Sequence, residues 1–95
     1  MKISKKSAFW PMVDFVNQYL EGEMDRLEFD LDFICNLEEN YPKMQKENRE
    51  LAEFFHFRFA ERGLDRADGL CDDKHKDLIE DQWDDFVDAM ENGLF

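Results

Sequence analysis

From Asp77 to Glu91 the chain carries two sets of side chains that a helix separates cleanly. Asp77, Glu80, Asp81, Asp84, Asp85, Asp88 and Glu91 recur at helical spacing, and so do Leu78, Ile79, Trp83, Phe86, Val87 and Met90. At roughly 100° per residue the two sets fall on opposite faces. The apolar face demands a core to pack on. The acidic face is not interrupted by any Lys or Arg. Like charges three or four positions apart repel one another along a helix, and a surface shaped for solubility alone mixes its signs. The acidic face therefore calls for a positive partner, with a plain solvated face as the alternative reading.

The material for a core is present. Ten Phe and two Trp in 95 residues argue against disorder and for one small domain. The formal net charge is −12, and it is unevenly spread: residues 65–95 hold 11 Asp/Glu against 3 Lys/Arg, and the remainder 13 against 9. Such a field repels nucleic acid and anionic membrane and attracts basic proteins. Cys35 and Cys71 are the only cysteines and form no CxxC. Cys35 falls in an apolar helical pattern and reads as a small buried hydrophobe. A reduced, cytoplasmic setting is expected, as it fits a chain with no dense disulfide framework. Lys2, Lys5 and Lys6 precede no apolar run of signal length, because Pro11, Asp14 and Asn17 interrupt it. No stretch approaches the roughly 20 apolar residues of a membrane span.

The periodicity predicts four helices. The first runs from about Ala8 to Glu21, with Ser7 as N-cap and Pro11 tolerated in the first turn. Phe9, Met12, Val13, Val16, Tyr19 and Leu20 give its stripe, and Gly22 stops it. The second runs from about Arg26 to Asn40. Asp25 and Glu28 resemble a capping box, and Pro42 is expected to end the helix. Leu27, Leu31 and Ile34 beside Phe29, Phe33 and Leu37 form a wide apolar face. Residues 41–47 read as a polar connection. The third helix, about Glu47 to Arg62, places Leu51, Phe54, Phe55, Arg58, Phe59 and Arg62 on one face, and Gly63 is placed to close it. A short strand over Phe55, Phe57 and Phe59 is the alternative. An acidic connection, Leu64 to Lys76, precedes the last helix. Four short amphipathic helices with short links predict an all-α fold, a compact antiparallel four-helix bundle in one domain.

The usual signatures of chemistry are missing from this pattern. An EF-hand register with Gly69 at its sixth position would put Leu64, Arg66 and His75 at ligand positions. Cys71 and His75 are one spaced pair where zinc needs four ligands, and His75, near an acidic loop, reads as a surface residue. There is no Gly-rich phosphate loop and no nucleophile–His–carboxylate pattern. The expectation is a protein that is not an enzyme and has no cofactor or metal.

Three groups of residues carry a family resemblance. Tyr19-Leu20-Glu21-Gly22 is followed by Asp25-Arg26-Leu27-Glu28-Phe29. Glu50-Leu51 opens an aromatic-rich third helix. Asp65-Arg66-Ala67, then Asp72-Asp73, leads into a final amphipathic helix. Over roughly residues 9–90 the chain resembles the immunity proteins of the colicin D type. The resemblance implies a four-helix bundle that binds a cognate basic nuclease toxin in a 1:1 complex and blocks its active site. The toxin would resemble a transfer-RNA-cleaving nuclease delivered by a colicin or by contact-dependent inhibition. The family's acidic contact residues near the end of the third helix and in the next loop match Glu61, Asp65, Asp72 and Asp73. One departure stands at Arg58, around which the family tends to carry acid.

A nuclease site is basic because it binds phosphates, and an acidic inhibitor meets the same cations. Joined with the acidic stripe, the candidate toxin-binding set is Glu61, Asp65, Asp68, Asp72, Asp73, Asp77, Asp81 and Asp84. Most have an ordinary alternative: Asp65, Asp68, Asp72 and Asp73 as turn formers and caps, Asp73 being an N-cap candidate, and Asp77, Asp81 and Asp84, with Asp88, as a solvated face. Arg66 reads as the internal partner of a loop carboxylate. Phe57 and Trp10 lie off their main stripes, either in a second core face or as exposed anchors. Trp83 reads as core. An acidic antitoxin, a nucleic-acid mimic or a helical adaptor for another basic protein is the second functional reading. No direct nucleic-acid or membrane contact is expected.

Overall fold

The computed structural model describes residues 5–64 and 69–92, and the side chains of 62–64 are not considered. Among these residues every regular element is helical: α1 (Trp10–Leu20), α2 (Arg26–Glu47), α3 (Arg49–His56), a π-helical segment that continues α3 (Phe57–Leu64), and α4 (Asp72–Glu91). The strand alternative over Phe55–Phe59 is not adopted. One cluster of buried side chains runs through all of them. The Cα radius of gyration, 12.6 Å, is that of a compact chain of this length, roughly 12 Å.

Helix α1 buries Met12, Val13, Val16 and Tyr19, the stripe expected from its spacing. Pro11 lies in the first turn, where its missing N–H costs nothing. Ser7 is not the N-cap. Phe9 holds that position without a side-chain cap. Ser7 Oγ instead accepts from the Phe9 N–H at 3.1 Å and donates to Glu47, which also accepts from the Ala8 N–H at 2.9 Å. The carboxylate of a distant helix end thus serves the start of α1, where negative charge is favoured. Past Glu21, Gly22 adopts φ +84°, the left-handed turn that favours glycine.

Helix α2 starts as expected: Asp25 caps it, accepting from the Glu28 N–H at 2.8 Å. Its end is a correction. Pro42 lies inside the helix, which continues to Glu47, so residues 41–47 are not a connection. Proline removes one backbone bond, the one to the carbonyl of residue 38. Pro42 and Glu38 are both exposed, so water can serve that carbonyl. Two residues on, Met44 is fully buried and anchors the extension. A second correction concerns the wide apolar face. Phe29, Phe33, Leu37 and Met44 are buried, but Leu27, Leu31 and Ile34 are 67%, 66% and 40% exposed. Their neighbour Cys35 is exposed too, not a buried hydrophobe. Only the row facing the rings of α1 and α3 enters the core.

A single extended residue, Asn48, ends α2 and caps α3, its side chain accepting from the Leu51 N–H at 3.1 Å. Leu51, Ala52 and Phe55 of α3 and Phe59 and Ala60 of the π-helical segment are buried. That segment runs through Gly63 to Leu64 rather than closing at the glycine. Helix α4 begins at Asp72, five residues before the acidic stripe, with Cys71 as N-cap; Asp73 is in the first turn and is not the cap. Trp83 is partly buried and packs on Phe59 and Phe86, as its face predicts. Trp10 also packs against the core, with the Lys5 ammonium 5.9 Å from its ring centre. Phe57 remains 43% exposed.

Candidate functional site

The exposed surface of α4 is mainly acidic, with Lys74 an exposed cation in its first turn. Asp72, Asp73, Asp77, Asp81 and Asp84 are all exposed, and Glu61 is exposed on the π-helical segment. Asp65, Asp68 and Arg66 lie outside the described residues. Asp72 and Asp73 sit in the first turn of α4, where backbone N–H groups and the helix dipole stabilise their charge.

Two cations neutralise part of this surface from within. Arg58 Nη1 bonds Asp85 Oδ2 at 3.0 Å and Gln82 at 3.4 Å, while its guanidinium stacks 5.3 Å from the Phe54 ring. Arg26 reaches Asp72 at 3.3 Å and Asp30 at 3.4 Å and also donates to the carbonyl of Leu70. Burial opposes its charge, but these carboxylates outweigh that and raise its pKa. Asp73, Asp77, Asp81 and Asp84 form no ion pair among the described residues. The stripe is therefore graded, with Asp72 and Asp85 engaged and the carboxylates between them open to a partner.

The fold adds acids that the sequence reading left out. Glu23 and Asp25 from the α1–α2 turn and Glu28 from the first turn of α2 share one shallow depression with Arg26, Asp72, Asp73 and Lys76. These groups lie some 45 positions apart along the chain, so no local pattern joins them. The structural signal was available only as the capping role of Asp25, which fixes the turn beside the start of α4.

Beneath this surface lies a relay in which Tyr19 and His75 are buried and Asp30 is partly exposed. His75, 1% exposed, places Nδ1 2.6 Å from the Tyr19 hydroxyl and Nε2 3.0 Å from Asp30 Oδ1. An ionised Asp30 can only accept, so Nε2–H donates to it and, in the neutral imidazole, Nδ1 accepts from Tyr19. Burial first, and the nearby Asp30 carboxylate second, push the Tyr19 phenol up to about 12, so it keeps its proton to donate. The expectation of a surface histidine is thus wrong. His75 joins Ile79, Gln82, Phe86 and Ala89 as the inward row of α4. Starting that helix at Asp72 would have put His75 on the row by spacing alone. Each polar group in the relay has a partner, and the relay ties α1, α2 and α4 together under the acidic rim.

Among the described residues no group of His, Cys, Asp and Glu converges to hold a metal ion. No helix among them is long and apolar enough to cross a membrane. No family model matches the chain, and no curated protein or solved structure matches it either.

Proposed function

We propose that this protein is an immunity protein of the colicin D type, which neutralises a basic nuclease toxin in a 1:1 complex in the cytoplasm. The observation that carries the reading is the run of solvent-facing carboxylates on α4, Asp73, Asp77, Asp81 and Asp84, none of them in an ion pair among the described residues although Lys74 is exposed beside them. A surface that leaves like charges side by side is costly alone and favourable against a phosphate-binding cleft. Complementary fields also speed capture of a toxin before it cuts. The protein needs no catalytic group and no cofactor for this role. The toxin, by the resemblance, is a transfer-RNA-cleaving nuclease whose active site the acidic surface covers.

The scaffold in this reading is an antiparallel four-helix bundle. Contact order along neighbouring helices supports it. Tyr19 meets Phe29 while Phe15 meets Phe33; Tyr41 meets His56 while Phe33 meets Phe59; Phe55 meets Phe86 while Phe59 meets Trp83. In each pair one partner's number rises as the other's falls.

The test is co-expression with the protein encoded immediately upstream, co-purification, and a transfer-RNA cleavage assay on the separated partners. A 1:1 complex that suppresses cleavage is expected, and raised salt should weaken it. Reversing Asp73, Asp77 and Asp81 to Lys should abolish protection while the helical circular dichroism persists. Full protection by that variant would sink the acidic footprint.

A further inference from the structure

Leu27, Leu31 and Ile34 lie in one row of α2 and are 67%, 66% and 40% exposed. They fall at i, i+4 and i+7, so they form a continuous ridge rather than scattered points. Isolated apolar residues on a surface are ordinary, whereas a ridge of three rimmed by charge is the anatomy of an interface core. The rim is acidic. Glu28, Asp32 and Glu39 flank the ridge, Glu38 continues it, and all four are exposed. At its N-terminal end the ridge runs into the acidic surface already described, because Leu27 lines one depression with Asp25, Asp30, Asp72 and Arg26, the cation that bridges the last two carboxylates.

We infer that the Leu27–Leu31–Ile34 ridge, together with the acidic rim joining it to Asp72 and Asp73, is a docking surface for a basic protein bearing an exposed apolar patch. Charge decides the occupant. Two copies of this chain facing each other across the ridge would set carboxylate against carboxylate, with a net charge of −12 on each. Size points the same way. A stable complex covers about 800 Å² per partner, more than three side chains present, so the flanking carboxylates must be covered too. Only a cationic surface can cover them without stranding charge. The apolar anchor then holds the complex, and the acids steer its approach. The partner's identity as the toxin rests on the proposed function; the chemistry of the surface does not.

The two exposed cysteines provide the test, because Cys35 borders the ridge and Cys71 precedes Asp72. The partner used is the purified catalytic domain of the upstream gene product. In the complex, maleimide labelling should slow at Cys35 as well as Cys71. L27S/L31S should weaken binding at least tenfold and keep wild-type circular dichroism, since both side chains are mostly in water. Slowed labelling at Cys71 alone, with unchanged affinity for L27S/L31S, overturns the ridge and leaves the acidic footprint standing. If the wild-type protein binds no such domain, the immunity reading fails. A synthetic helical peptide of Leu on one face and Lys on the other then decides the surface. Slowed Cys35 labelling that L27S/L31S abolishes supports it, and labelling that L27S/L31S leaves unchanged overturns it. A dimer of the protein alone by sedimentation equilibrium, lost in L27S/L31S, would assign the ridge to a second copy and overturn the basic occupant.

Discussion

Where α1, α2 and α4 meet, Tyr19, His75 and Asp30 join three helices through two directed bonds of 2.6 and 3.0 Å. Where α2, α3, the π-helical segment and α4 meet, Phe33, Phe55, Phe59 and Phe86 do the same with rings alone. There Phe55 lies 4.5 Å from Phe59 and 5.2 Å, edge-on, from Phe86. Ring packing follows volume and tolerates a shape of similar size. A buried hydrogen-bonded relay accepts one alignment, because a displaced donor leaves an acceptor stranded. The aromatic region buries the larger cluster of rings, and the polar junction sets how α4 lies against α1. That alignment brings Asp72 and Asp73 beside the α1–α2 turn.

Four substitutions separate the two kinds of region. Phe86→Ala should cost most, about 3–5 kcal/mol in chemical denaturation, because it removes a fully buried ring shared by α3, its π-helical extension and α4. A loss under about 1 kcal/mol would mean the cluster is loosely packed. Tyr19→Phe should cost less at neutral pH, about 1–3 kcal/mol, by leaving His75 Nδ1 buried without its donor. It should also change the alkaline limb. Folding raises the Tyr19 pKa from 10.0 to about 12, so the protonated phenol favours the folded state. That contribution is complete below pH 10 and is lost as pH rises toward 12, about 2–3 kcal/mol in all. The measurement is the difference between wild type and Tyr19→Phe from pH 9 to 12, in which contributions common to both proteins cancel. Equal slopes would show that folding does not raise the phenol's pKa. Asp25→Ala should cost about 1 kcal/mol, the value of an N-cap. Leu31→Ser, beside the aromatic region but outside it, should change stability by no more than about 0.5 kcal/mol.

Periodicity located what depends on one face meeting one core. The α1 stripe, the acidic side of α4, the Asp25 cap and the Gly22 turn all emerged where spacing placed them. Spacing could not say which of two adjacent apolar rows on α2 the core would accept. Phe29, Phe33 and Leu37 won because rings of α1 and α3 were available to stack on them. Pro42 misled for a related reason: its local cost is small where water reaches the freed carbonyl, and Met44 draws the helix onward. The relay was illegible because Tyr19 and His75 are 56 positions apart, and a polar side chain on an apolar row does not announce its partner. The π-helical turn after His56 carries no local composition that distinguishes it from α-helix.

Asn48 has a consequence for the order in which the chain assembles. With one residue between α2 and α3, closing that corner costs almost no loop entropy. Contacts such as Tyr41–His56 and Phe33–Phe55 then form early. Docking α4 on α1 instead requires the whole intervening chain to be arranged. We expect the aromatic hairpin to be largely formed in the folding transition state and the Tyr19–His75 bond to form after it. Phe55→Leu should then slow folding, and Tyr19→Phe should mainly speed unfolding in the same chevron measurement. The acidic surface over the junction would be the last part of the molecule to take shape, and the first to come apart.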